Sequence, residues 1–262
     1  MKYTEINSAA ISQWAENGWE WGQPVTHDMF VAASFDSRLI GLTPQKKPPR
    51  EWYTPFLTDD GRLDGCKLLG LASGGGQQIP LFSALGASCT VLDYSDKQLE
   101  SERMVAAREG YAVEVVKADM TLRLPFNDDC FDLIFHPVSN CYIEDVQHVW
   151  NECFRVLKPG GVLLAGTDNG VNYVFEDEDG EAGLTARNKL PYNPLKDPAL
   201  MERGIAGDGS VQFSHTIEEQ VGGQLKAGFI LTDLFEDTDN DGIGEYMPNF
   251  LATRAVKPEV KR

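Results

Sequence analysis

The sequence has little positive charge and no long hydrophobic run. Its 262 residues include 40 acids against 23 lysines and arginines, which gives a net charge of −17 at pH 7. Binding to extended nucleic acid requires a basic face, and no basic run here exceeds two residues, as at Lys46-Lys47. No stretch approaches the roughly 20 apolar residues of a membrane span, and the first residues contain no apolar signal core. We therefore expect a cytoplasmic protein with neither nucleic-acid nor membrane partners.

The chain also lacks paired cysteines and a complete metal-binding motif. Its five cysteines are scattered and form no CxxC pair, so we expect reduced thiols and no zinc site. The acidic segment 237–242 resembles the start of an EF-hand loop, but the twelfth position is Pro248, where calcium needs a bidentate glutamate. We interpret this segment as a solvated turn and predict no metal.

Residues 1–60 precede the first predicted strand and differ in composition from the rest of the chain. A helix is predicted from Asn7 or Ser8 to Trp14. Three of the five tryptophans lie between positions 14 and 21, and four prolines mark an extended connector over 44–55. We interpret residues 1–60 as a helical, aromatic cap that packs on the core, covers a ligand cleft, or does both. Residues 61–262 form the main domain, with an insertion at 168–215 that carries an acidic run.

The stretch 67–93 has the most informative pattern in the chain. An apolar run at 67–71 predicts a strand, and Ala72-Ser73-Gly74-Gly75-Gly76 follows it with small residues. A helical pattern comes next, and a second apolar run ends on Asp93. Strand, glycine loop, helix, strand and acid indicate a nucleotide-binding βαβ unit, in which the acid accepts hydrogen bonds from ribose hydroxyls.

The alternation of helices and strands continues after this unit. We predict a helix capped by Ser95 with Leu99, Arg103 and Val105 at helical spacing. Further strands are predicted at 112–116, 131–135 and 162–166, with a helix at 145–157. Such alternation indicates a parallel sheet with right-handed crossovers. A sixth strand at 229–235 and a seventh at 249–256, antiparallel and at or near an edge, complete the prediction.

Four stretches together resemble the class I S-adenosylmethionine-dependent methyltransferases, in particular the ubiquinone/menaquinone-type and small-molecule group. They are LLGLASGGG (68–76), VLDYS (91–95), KADM (117–120) with LPFNDDCFDLIF (124–135), and FRVLKPGGVLL (154–164). The resemblance covers residues 66–257. It implies an α/β fold: a Rossmann-like, seven-stranded, mostly parallel sheet with one antiparallel strand and helices on both faces. It also implies S-adenosylmethionine as cofactor and a small-molecule methyl acceptor.

The resemblance implies roles for residues that match the family's motifs. The first loop would wrap the methionine part of the cofactor, and the acid ending strand two would hold the ribose hydroxyls, with its neighbour against the adenine. The acid after strand three would receive the adenine amino group, and the residue ending strand four would line the sulfonium pocket. In that order these positions are Ala72, Ser73, Gly74 and Gly76, then Asp93 and Tyr94, then Asp119 with Met120 beside the ring, then His136.

Two positions depart from the family's first motif. Gly70 stands where an acid is usual, and Ala72 stands where a glycine is usual. The missing acid orders the loop or contacts the cofactor's amino group in many members, and Gln77 and Gln78 are the nearest substitutes as hydrogen-bonding groups.

Several of these side chains also have purely structural interpretations. Asp93 suits a helix cap, and Asp119 suits a turn. His136 is equally consistent with a histidine whose hydrogen bonds are satisfied at a strand end. The sequence does not identify the pocket that binds the methyl acceptor, and the candidate residues for it are Trp21, His27, Asn140 and Tyr142. We predict no particular catalytic residue, although His136 is the best-placed base by chain position.

Three functions are compatible with the unit. The first is methyl transfer to an unidentified, small acceptor. The second is a non-catalytic sensor or interaction protein that binds S-adenosylmethionine. The third is a nicotinamide-dependent oxidoreductase, but residues 74–79 lack the third glycine of the GxGxxG pattern. The intact acids at 93 and 119 favour the first.

Overall fold

The structure is a computed structural model that describes residues 2–34, 36–176 and 184–259. Residues 177–181 of the acidic run lie outside the described residues. The strands are β1 Lys67–Leu71, β2 Ser88–Asp93, β3 Val113–Lys117, β4 Phe131–His136, β5 Leu157–Asp168, β6 Phe175–Glu176, β7 Thr185–Ala186, β8 Ile230–Asp237 and β9 Phe250–Val256. The α-helices are α1 Tyr3–Glu16, α2 His27–Ala33, α3 Gln78–Ala84, α4 Asp96–Glu109, α5 Val146–Val156, α6 Pro198–Gly207 and α7 Gly223–Ala227.

Seven strands form the main sheet, in the order β3-β2-β1-β4-β5-β9-β8. The strands from β3 to β5 pair in parallel, and β9 runs antiparallel to both of its neighbours. The predicted seven-stranded, mostly parallel sheet with one antiparallel strand is confirmed. That strand lies next to the edge, which β8 occupies. The short strands β6 and β7 pair with each other as a separate hairpin.

The two faces of the sheet carry separate apolar clusters. Leu68 belongs to one cluster and Leu69 to the other, because successive side chains of a strand point to opposite faces. The first cluster includes α3 and also Trp52 and Tyr53 from the N-terminal segment. The second includes Trp150 of α5. The N-terminal segment therefore shares the core of the main sheet.

Several element boundaries differ from the predictions, among them those of helices α1 and α5. Helix α1 begins at Tyr3, because the backbone N–H of Lys2 donates to Glu5 Oε2 at 2.9 Å and Asn7 makes contacts far along the chain. Helix α5 ends at Val156, and the Lys-Pro-Gly-Gly segment lies inside β5. None of the helices in the described ranges combines the length and apolarity needed to cross a bilayer.

Candidate active site

A cavity of about 670 Å³ lies at the carboxyl ends of the parallel strands. Its wall includes residues that follow β1, β2, β3, β4 and β5, together with residues of α1 and of the segments around 20 and 43. Strand order reverses between β1 and β4, and ligands of open α/β sheets bind at such a switch point. The volume is in the range of small-molecule sites, roughly 300–1,000 Å³.

The glycine loop is fixed by groups of β2 and α4. Gly74 N–H donates to Asp93 Oδ2 at 3.0 Å, Gly75 N–H to Gln98 O at 3.0 Å, and Gly76 N–H to Glu102 Oε1 at 2.7 Å. A Cβ atom on Gly74 would lie 2.7 Å from Gln98 Cβ, so a side chain there would force the loop away from α4. Position 74 therefore requires glycine, because the loop could not lie this close to α4 with a side chain there.

The two departures in the first motif have structural explanations. The side chain of Ile79 fills the space that a side chain on Gly70 would need. Ala72 adopts φ 48°, a left-handed conformation that favours glycine. Gly70 therefore reflects packing against α3, and Ala72 keeps the backbone shape that a glycine would adopt more easily.

Glu102 orders the loop in place of the missing acid, and the sequence analysis did not identify it. It is wholly buried, and burial raises its pKa to about 8, although the Gly76 N–H lowers it in part and the nearby Asp93 charge raises it further. A signal was present, since Glu102 lies at helical spacing between Leu99 and Val105. Arg103, which we placed on this face, is exposed instead.

Asp93 and Asp119 each form hydrogen bonds within a turn, and each also lines the cavity. Asp93 accepts from the N–H groups of Gly74 and Ser95, the latter at 2.9 Å. Burial raises the pKa of Asp93, and these backbone donors oppose the rise. Asp119 Oδ1 accepts from Thr121 N–H at 2.9 Å and from Thr121 Oγ1 at 2.7 Å. Both acids line the cavity beside Tyr94 and Met120.

The first loop contributes Ala72, Ser73 and Gly74 to the cavity wall, whereas Gly76 lies behind it. Gln77 also lines the cavity, but its Nε2 donates to Glu20 O at 2.7 Å and to Gln23 O at 3.0 Å. These bonds, together with Val25 N–H to Gly76 O at 2.8 Å, attach the tryptophan-rich segment to the loop.

His136 is placed behind the wall and not at it. Its Nδ1 donates to Leu71 O at 2.9 Å, its Nε2 lies 2.8 Å from Asn140 Oδ1, and its side chain is fully buried. Burial lowers its pKa, and the hydrogen bonds to Leu71 and Asn140 oppose that shift. The bond to Leu71 O ties β4 to β1. After β4 the cavity is lined instead by Pro137, Val138 and Ser139.

Of the four residues predicted as candidates for binding the methyl acceptor, two line the cavity and two do not. Trp21 and Tyr142 line the cavity. Asn140 is buried behind it, where its amide bonds to Gln220 at 2.8 Å. His27 is exposed at the first position of α2 and lies 2.8 Å from Glu109 Oε2. It is not part of the cavity wall, and the residue before it, Thr26, is the N-cap of α2.

The remaining wall comes from parts of the chain that the sequence analysis did not connect. Asn7 of α1 donates to Tyr142 O and Val211 O, at 3.1 and 2.9 Å, and accepts from Val211 N–H at 2.7 Å. Asp168, at the end of β5, is 4% exposed, and burial raises its pKa to about 6. The other wall residues of this end are Thr43, Cys141, Asn172, Tyr173, Gln212, Asp239, Asp241 and Phe250.

A family model described as a methyltransferase domain matches residues 69–165, from β1 to β5. Over 254 residues the chain is 39% identical to a Bacillus subtilis (strain 168) protein named uncharacterized methyltransferase YbaJ, with 96% of this chain and 97% of that protein covered. The chain belongs to the S-adenosylmethionine-dependent methyltransferases.

This methyltransferase is also similar to more distant proteins. It is 33% identical over 106 residues to sterol 24-C-methyltransferase erg6 of Aspergillus fumigatus, covering 39% of this chain and 28% of that protein. Its fold matches the crystal structure of an S-adenosylmethionine-dependent methyltransferase from Mesorhizobium loti with a TM-score of 0.61. That match has 22% identity and covers 79% of this chain and 95% of the other.

S-adenosylmethionine is the cofactor of the methyltransferase, and the residues at the cavity fit it. Asp93 and Asp119 offer carboxylate oxygens to hydroxyl and amino groups. Gly74 keeps the space beside Asp93 open, since a Cβ atom on Gly74 would lie 2.9 Å from Asp93 Oδ2. Backbone of the first loop and the carboxylate of Asp93 therefore share one part of the cavity wall.

Proposed function

We propose that the methyltransferase binds S-adenosylmethionine at the β1–β3 end of the cavity and transfers its methyl group to a small molecule at the β4–β5 end. The observation that carries this proposal is a single cavity that reaches from the glycine loop to Asp168. One connected space lets donor and acceptor meet in line, which is the main requirement of a displacement reaction.

The residues of the first end have separate roles in this proposal. Ala72, Ser73 and Gly74 present backbone to the methionine part of the cofactor. Asp93 accepts hydrogen bonds from the ribose hydroxyls, and Asp119 accepts one from the adenine amino group. The adenine lies between the side chains of Tyr94 and Met120. All of these residues line the cavity, which supports the assignment.

When bound, S-adenosylmethionine supplies a methyl group carried by a positively charged sulfur. The protein's own contribution is to orient and to exclude water. The segment at Trp19, Glu20 and Trp21 lies over the glycine loop and lines the cavity, and Gln77 fastens it there. In our proposal this segment closes the cofactor end against solvent.

The charges of the wall favour a small acceptor that is not an anion. Among the described residues that line the cavity there is no lysine, arginine or histidine. The acids there are Glu20, Asp93, Asp119, Asp168, Asp239 and Asp241. Phosphates would be repelled by such a wall, so we propose that nucleic acids are not substrates or partners.

Calorimetric titration with S-adenosylhomocysteine tests the cofactor half of the proposal, and a metabolite panel assayed for S-adenosylhomocysteine release tests the transfer half. We expect saturable one-site binding and turnover with at least one small acceptor. Binding without turnover across the panel would support a sensor instead. Absence of binding to the folded protein would contradict the proposed function as a whole.

A further inference from the structure

The β5 end of the cavity contains a buried carboxylate that the fold does not satisfy. Asp168 Oδ1 accepts from Gly170 N–H at 2.8 Å. Its Oδ2 is buried and has no hydrogen-bond partner among the described residues. A buried charged oxygen without a donor is strongly unfavourable. Asp168 lines the cavity, and a ligand that reaches this oxygen from the cavity would supply the donor that the protein does not.

Two tyrosines, Tyr142 and Tyr173, line the cavity at the same end as this carboxylate. Burial, with a contribution from the Asp168 charge, raises the pKa of both phenols well above the ordinary value, so they stay neutral. Tyrosine rings attract an organic cation through their π faces. A carboxylate beside aromatic rings is therefore a complementary site for a substituted ammonium group.

The far wall adds negative charge of the same kind. Asp239 and Asp241 belong to the loop between β8 and β9 and line the cavity. This loop is held in place through Asn249, whose Nδ2 donates to Asp239 Oδ1 at 2.9 Å and to Asn172 Oδ1 at 3.0 Å. The negative charge of these two carboxylates adds to the attraction of this end of the cavity for a cation.

We propose that Asp168 holds a cationic amino group of the methyl acceptor, and that the acceptors of this enzyme are therefore small organic amines. The amino group anchors the acceptor, and another atom of the same molecule takes the methyl group, because a protonated nitrogen has no lone pair with which to attack it. This inference rests on the proposed function and names its substrate class. Asp168 acts as a binding and specificity residue, with Tyr142 and Tyr173 contacting the carbon atoms next to the charge.

Matched probes test the proposal by binding, without turnover. The protein is saturated with S-adenosylhomocysteine and titrated with sets of an amine, an alcohol and a carboxylate on one carbon skeleton, starting with benzylamine, benzyl alcohol and benzoate. We expect at least one amine to bind about tenfold more tightly than its alcohol, as for a charge-assisted hydrogen bond, and the carboxylates to bind most weakly. Equal binding across every set, or preference for the carboxylates, would overturn the proposal.

Asp168→Asn keeps an oxygen for Gly170 N–H and removes the charge. It should reduce the amine preference to about threefold or less while leaving the affinity for S-adenosylhomocysteine unchanged. Asp59→Asn, an exposed acid outside the cavity wall, removes the same charge and should retain the preference. A retained preference in Asp168→Asn would also overturn the proposal. Failure of the wild-type protein to bind S-adenosylhomocysteine would instead contradict the proposed function, so the two failures are distinct.

Discussion

The two ends of the cavity are built in different ways. The cofactor end is made of turns that directly follow β1, β2 and β3, and its two acids bond within those turns, Asp93 to Ser95 and Asp119 to Thr121. Its long-range part is the covering segment, which Gln77 holds through Glu20 O and Gln23 O. The acceptor end joins α1, the turn at Tyr142, the end of β5 and the loop before β9, through bonds such as Asn7 to Val211 across 204 residues. Contacts within a turn can be predicted from a short sequence motif, whereas contacts between distant segments of the chain cannot.

The largest effect should come from removing the acid of the cofactor end. Asp93→Ala should weaken S-adenosylmethionine binding by about 1.5–3 kcal/mol, because it removes charge-assisted hydrogen bonds. Calorimetry on protein that is folded by circular dichroism measures the change. Asp96→Ala is the control, since Asp96 is exposed and pairs with Lys117 at 2.7 Å. If wild type and Asp93→Ala bound S-adenosylmethionine with equal affinity, Asp93 would not be a cofactor-binding residue.

This contrast also explains how much could be predicted from the sequence. The alternation of helices and strands and the antiparallel β9 were predicted from local patterns, and the grouping of residues 72–74, 93–94 and 119–120 was predicted from the family's motifs. Asp168 could not be identified, because its importance depends on a missing partner for Oδ2. His136 ends β4 as predicted, but the direction of its ring toward Leu71 O depends on tertiary packing.

The second effect concerns pH and the buried acid under the glycine loop. The pKa of Glu102 is raised from an ordinary 4.5 to about 8, so the folded protein keeps a proton that the unfolded chain has lost. Stability should therefore fall as pH rises from about 4.5 to about 8, by at most about 1.4 kcal/mol per pH unit from this group. Glu102→Gln should flatten that dependence in urea unfolding between pH 6 and 8. Parallel curves for variant and wild type would contradict the assignment.

The third effect concerns residues 19–25, the segment that covers the cofactor end of the cavity. Gln77→Ala removes two donated hydrogen bonds to Glu20 O and Gln23 O, worth about 1 kcal/mol each. Hydrogen exchange over residues 19–25 should accelerate several-fold, and S-adenosylhomocysteine should restore part of the protection. Gln78→Ala is a matched control, because Gln78 bonds to Ser73 instead. Unchanged exchange in Gln77→Ala would show that the segment is held by other packing.

The smallest effect should come from Ala72. Its φ of 48° is a strained conformation for alanine, at roughly 1–2 kcal/mol, and glycine adds about 0.5–1 kcal/mol of chain entropy to the unfolded state. Ala72→Gly should therefore raise the free energy of unfolding by about 0.5–1 kcal/mol. Ala118→Gly, where φ is not positive, should lower it. Urea unfolding at one pH compares them, and destabilisation by both would exclude strain at Ala72.

The division of the cavity into a cofactor end and an acceptor end is tested most directly by a crystal structure with S-adenosylhomocysteine bound. We predict ribose oxygens within hydrogen-bond distance of the Asp93 carboxylate and the adenine amino group against Asp119. Asp168 should then have no contact with the ligand, with space left beside Tyr142 and Tyr173. A nucleoside seated against Asp168, or a ligand outside the cavity, would contradict this account.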